Sequence, residues 1–179
     1  MGLDMYLSKK TYVKNWDFQK KEEKFSVSVK KNGKKYQPIN PKRISYIIES
    51  VMYWRKANHI HKWFVDNVQD GVDECQESYV STDKLKELLD TCKKVEASLL
   101  KSKKKIFTIK TLSNENEEIE GFADISVAKK LLPTQGGFFF GSVIYDEYYL
   151  EDVQNTIKSI SSLLEEDNND AEFYYQSSW

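Results

Sequence analysis

Residues 40–71 read NPKRISYIIESVMYWRKANHIHKWFVDNVQDG. Asn40 suits a helix N-cap, and Pro41 suits the first helical position, where no N–H is needed. Gly71 supplies a stop at the far end. Between them, Ile44, Ile47, Ile48, Val51, Trp54, Val65 and Val68 form an apolar stripe at helical spacing. Ile60, Trp63 and Phe64 make other faces apolar too. The pattern predicts one long helix from about residue 42 to Gln69, packed on more than one side at the centre of the fold.

Two polar residues sit on that stripe. Positions 44, 51, 58 and 65 step by seven, as do 47, 54, 61 and 68, which puts Asn58 and His61 on the apolar face, with Arg55 and Lys62 beside them. A buried Asn or His left without a hydrogen bond costs about 1–3 kcal/mol. These residues therefore either belong to a satisfied core network or face a cleft. In the second case Arg55, Asn58, His61 and Lys62 would floor an anion or nucleotide pocket. His59 and His61 point about 200° apart on a helix and cannot share a metal.

The remaining pattern is mixed. Leu3, Met5 and Leu7 alternate with polar neighbours, as in a first strand. FSVSVKKNGKKY (residues 25–36) is a β-hairpin signal, because Asn32-Gly33 accepts the positive φ of a tight turn. CQESYV is a short strand candidate. Ser81-Thr82-Asp83 caps a helix carrying Leu85, Leu88, Leu89, Cys92, Val95, Leu99 and Leu100. IFTIKTL suggests a strand, SNENEE a loop, and DISVAKKLL a short helix stopping before Pro133. GGFFFGSVIY suggests an interior strand, while Thr134 and Gln135 just before it are candidate loop contacts to a ligand. Asp146 caps a last helix to about Glu166, and EFYYQSSW suggests a terminal strand. The expected fold is α+β: an antiparallel sheet with an N-terminal β-hairpin, packed against the long central helix and two or three further helices. A single domain over 1–179 is expected, with strand and basic hairpin in 1–40 and the helical and sheet core in 41–179.

The net charge of −1 hides an asymmetry: fifteen Lys and Arg face five Asp and Glu in residues 1–63, and twelve face twenty-three in residues 64–179. Such a split suits two different partners, or docking between the halves. No apolar run of about 18 residues exists to span a membrane, and MGLDMYLSKK lacks the apolar core of a secretory signal. A cytoplasmic protein is expected. Cys75 and Cys92 are too few and too far apart for a zinc site, and a disulfide is not expected. Asp146, Glu147, Glu151 and Asp152 bunch at the start of a helix, which suits its dipole. Oxygen ligands of this kind also suit a divalent cation. No metal-binding motif accompanies them, and no cofactor is expected.

Lys30, Lys31, Lys34 and Lys35 crowd the hairpin tip beside Tyr36. Their mutual repulsion leaves solvation or an anionic partner to explain them. Lysines with neighbouring aromatics suit an RNA backbone and its exposed bases. By residue type, Tyr36, Arg55, His59 and His61 are the candidates for acid–base and electrostatic work on RNA, which needs no metal when a base takes the 2′-hydroxyl proton.

MGLDMYLSKKTYVKNW, YWRKANHIHKWFVDNVQDGVDEC, LLPTQGGFFFGSVIYDEYYLED and FYYQSSW together resemble a family of small proteins from bacteriophages of Gram-positive bacteria. The resemblance spans nearly the whole chain. Some relatives resemble a type II anti-CRISPR protein, which disables an RNA-guided nuclease by causing truncation of its guide RNA. The resemblance implies guide RNA and the host's type II nuclease as partners, in the host bacterial cytoplasm. It transfers no catalytic residues. A nucleotide-binding counter-defence module and a purely protein-interacting inhibitor are the alternative readings.

Overall fold

The computed structural model describes residues 2–110 and 116–179. Four strands form the main sheet: β1 (Asp4–Tyr12), β4 (Tyr46–Arg55), β5 (Ser78–Val80) and β8 (Ala171–Ser178), in the order β4-β1-β8-β5 with every neighbour antiparallel. Between β1 and β4 lies a small hairpin, β2 (Lys30–Lys31) with β3 (Lys34–Lys35). The helices are α1 (Asn58–Val68), α2 (Thr82–Leu99), α3 (Ser126–Leu131) and α4 (Glu147–Glu165). A second hairpin, β6 (Lys104–Lys110) with β7 (Asn116–Phe122), precedes α3. The α+β class with an antiparallel sheet is as expected.

The long helix over 42–69 does not form. Its first half is β4 and only its second half is helical, as α1. Tyr46, Ile47, Ile48, Val51, Tyr53 and Trp54 are β-branched or aromatic and fit a pleated surface, and β1 offers a nine-residue partner strand closed by β8 on its other side. The chain breaks direction at Lys56, which takes φ +60°, before α1 starts. Asn40 does cap, accepting a hydrogen bond from the Lys42 amide at 3.1 Å, but it caps one 3-10 turn over Pro41–Arg43. Two smaller expectations also fail. GGFFFGSVIY is irregular rather than a strand, and residues 116–118 of SNENEE belong to β7; residues 113–115 lie outside the described residues.

The helices cover one face of the sheet. Met5 and Leu7 of β1, Met52 and Trp54 of β4, Phe173 and Tyr175 of β8 and Val80 of β5 point into the core. Burying such side chains gives each about 1.5–3 kcal/mol. The Phe64 ring of α1 lies flat on Tyr175, centroids 3.9 Å apart, and Trp54 donates its indole N–H to Thr156 of α4 at 2.8 Å. Leu85, Leu88, Cys92, Val95 and Leu99 of α2 meet Leu150, Val153 and Ile160 of α4. Ser81 and Asp146 cap these helices as expected. Burial pushes the Cys92 thiol up to about 12, and both cysteines are free thiols. No helix among the described residues is long and apolar enough to cross a membrane.

Candidate functional site

Residues 14–45 form a basic arm. None of them is buried. The arm leaves β1 and returns to β4 through one closing hydrogen bond, Val13 amide to Ser45 carbonyl at 2.9 Å. It holds ten Lys and Arg and only three acids, so most of the positive half of the sequence is gathered here. At its hairpin, Asn32 and Gly33 take φ +50° and +76°, the tight turn their residue types predicted. The Tyr36 amide donates to the Val29 carbonyl at 2.9 Å, extending the ladder by one pair. Lys30, Lys31, Lys34 and Lys35 are exposed, and among the described residues none makes an ion pair. Lys31 lies 5.7 Å above the Tyr36 ring. Trp16 and Phe18 stack nearby in sequence and are exposed as well.

The sheet face away from the helices carries tyrosines. Strand alternation sends Tyr6, Tyr12, Tyr46, Tyr53, Tyr79 and Tyr174 to this side. They sit in cross-strand pairs: Tyr6 with Tyr53, Tyr12 with Tyr46, Tyr79 with Tyr174. Lys10 lies between them, 4.0 Å from the Tyr174 ring and bonded to Glu77 at 2.6 Å. The Tyr12–Tyr46 pair stands at the root of the arm.

A cleft of about 290 Å³ opens at the other end of the sheet, between the end of β4 and the start of α4. Arg55, Lys56 and His59 line one side, and Tyr148, Glu151 and Asp152 the other. His59 is only 3% exposed and its ring packs on Tyr149 at 4.1 Å. Its Nε2 has no partner among the described residues. Burial pushes the His59 imidazole down to about 3, so it is neutral at pH 7. Asp152 is pushed up to about 7, first by burial and then by the nearby charges of Glu151 and Asp146. A wider groove between α2 and α3, about 840 Å³, has only exposed or half-buried walls, with Lys94, Lys101 and Lys103 at its rim.

The structure separates the four catalytic candidates. Asp4 pairs with Arg55 at one end of the sheet and Tyr12 with Tyr46 at the other. Eight strand steps at about 3.3 Å put these ends roughly 26 Å apart. Tyr36 is on the arm end, Arg55 and His59 on the cleft end. His61 is in neither place. It is buried, with Nδ1 2.8 Å from the Tyr175 hydroxyl and Nε2 2.9 Å from Asp73. Asn58 is fully employed too: its Nδ2 donates to the Phe140 and Ser142 carbonyls at 2.9 and 2.7 Å, and its Oδ1 accepts from the Gln135 amide at 2.9 Å. The pocket floored by Arg55, Asn58, His61 and Lys62 therefore does not form, and Lys62 pairs with Asp66. Thr134 and Gln135 make internal bonds. Among the described residues no three His, Cys, Asp or Glu side chains gather as a metal site. Sequence reasoning missed Lys56 and the tyrosine face. The alternation of Tyr6 with Met5 and Leu7 was the available signal for the latter.

Comparison with protein-family models, with curated proteins and with solved structures finds no match to this chain.

Proposed function

We propose that this chain is a phage-encoded RNA-binding inhibitor of a type II RNA-guided nuclease, acting on the guide RNA and promoting its truncation. The observation that carries RNA binding is the arm: four exposed hairpin lysines without ion-pair partners among the described residues, beside an aromatic ring. Solvated lysines of this kind bind phosphates by releasing condensed counterions. The tyrosine pairs that continue from the root of the arm offer flat faces on which unstacked bases can lie. A guide RNA within its nuclease sits in a basic channel. The basic arm suits the RNA, and the acidic remainder of the chain suits the protein around it.

The chain acts by binding and exposing the RNA, and another nuclease shortens it. Of the acid–base candidates only Tyr36 is on the arm; Arg55 and His59 lie roughly 26 Å from its root by strand length, and His61 is buried in the core. An imidazole held at about 3 is a weak base for a 2′-hydroxyl proton. Labelled guide RNA on a denaturing gel tests both statements. The purified protein alone should leave it intact. Adding the effector nuclease and host-cell extract should yield shortened guide and reduced target cleavage. Guide RNA of full length together with undiminished target cleavage would overturn the proposal, and shortening by the purified protein alone would move the cutting onto this chain.

A further inference from the structure

Three polar groups meet at the cleft beside α4: the buried His59 imidazole, whose Nε2 has no partner among the described residues, the half-buried Asp152 carboxylate and the exposed Arg55 guanidinium. His59 is 3% exposed, and the unmet hydrogen bond at its Nε2 costs about 1–3 kcal/mol. We propose that this cleft binds one nucleotide, free or as an unstacked unit of an RNA strand, with its phosphate on Arg55 and Lys56 and the N–H edge of its base on Asp152.

The charges select the ligand class. A simple anion meets Glu151 and Asp152, and a simple cation meets Arg55 and Lys56. A ligand with an anionic group at one end and N–H donors at the other satisfies both walls. Among bases, guanine presents two adjacent N–H donors and matches a carboxylate in a bidentate way. The neutral imidazole of His59 suits an uncharged polar group between these ends, as a ribose hydroxyl is. Tyr148 stands exposed at the rim and offers its ring to the base. A volume of about 290 Å³ is at the small end of ligand clefts, with room for one nucleotide and not for a duplex.

The cleft binds its ligand independently of the arm. The test is calorimetry on the full chain with GMP, AMP, CMP, UMP, free arginine and a single-stranded RNA tetramer. The proteins are wild type, Arg55→Ala, Asp152→Asn and the fourfold Lys→Ser variant at Lys30, Lys31, Lys34 and Lys35. GMP should bind most tightly of the mononucleotides. Each cleft substitution should weaken it at least tenfold, and the arm variant should leave it unchanged. The His59 Nε2 nitrogen resonance should shift on titration. If the tetramer binds and GMP does not, loss of tetramer binding in both cleft variants assigns the site to RNA. Tighter binding of arginine than of any nucleotide would overturn the proposal. So would binding that survives both cleft substitutions, or no binding of nucleotide or RNA at all. Inhibition lost in the arm variant with GMP binding intact separates this site from the arm.

Discussion

The body and the arm are built on opposite terms. The body buries Phe64, Tyr175, Trp54 and the leucines of α2 under one face of a sheet. The arm, residues 14–45, buries nothing and concentrates positive charge. Stability therefore resides in one region and long-range attraction in the other. Substitutions should sort accordingly, with folding defects from the body and binding defects from the arm.

The largest effect should come from the body. Phe64→Ala removes a ring stacked on Tyr175 and should cost about 3–5 kcal/mol. For a chain of this size that lowers the melting temperature by roughly 10 °C, read by circular dichroism. A drop of only a degree or two would mean the stacked core is not where stability lies.

The next effect should appear only in binding. Lys30, Lys31, Lys34 and Lys35 changed together to Ser should alter stability by no more than about 0.5 kcal/mol. The slope of log K for single-stranded RNA against log salt should shrink by up to about 2.8, at about 0.7 for each phosphate no longer neutralised. A large loss of melting temperature would place these lysines in the structure rather than in binding.

Asp152 gives a smaller, pH-dependent effect within the body. Its carboxyl is held at about 7 in the fold and near 3.9 in the unfolded chain. The folded state thus binds the extra proton, and the stability this represents is lost as pH rises from about 4 to 7. Asp152→Asn, which mimics the protonated group, should gain melting temperature over wild type progressively across that window and level off above it. A constant difference from pH 4 to 8 would show that Asp152 titrates normally.

The smallest effect should follow the most drastic edit. Replacing residues 15–43 with an Asn-Gly turn leaves Val13 and Ser45 to close an ordinary hairpin between β1 and β4. The shortened protein should melt within a few degrees of wild type while losing RNA affinity. Failure to fold would mean the arm contributes to the body after all.

The same contrast explains what was legible in the sequence. Local chemistry carried well: Asn32-Gly33 made its turn, and Ser81 and Asp146 capped their helices. Asn58 and His61 are buried as expected, though by hydrogen bonds from α1 to the 135–142 segment, to Asp73 and to Tyr175 of β8 rather than by a continuous helical stripe. The stripe misled because Ile44 to Trp54 satisfies helical spacing while its residue types favour a strand, and only pairing with β1 decides between them. GGFFFGSVIY misled because its aromatics suit a strand, yet Asn58 holds two of its carbonyls and leaves Phe138 93% exposed. The cleft was half visible. His59 and Arg55 stood out by type, but their meeting with Asp152 depends on how α4 docks, a contact across about a hundred residues of sequence that no local pattern encodes.

The place of β8 has a consequence for how the protein is made. The last strand in sequence is an interior strand of the sheet, between β1 and β5. A ribosome that has released everything up to residue 170 has produced a β1–β4 ribbon whose β1 side is unpaired, a three-residue β5 with nothing to pair with, and a Phe64 ring lacking the surface it stacks on. Folding of the body must wait for the final strand to emerge. Any nascent chain stalled before residue 171 exposes apolar surface for that whole interval, and chaperone capture and proteolysis should be concentrated there.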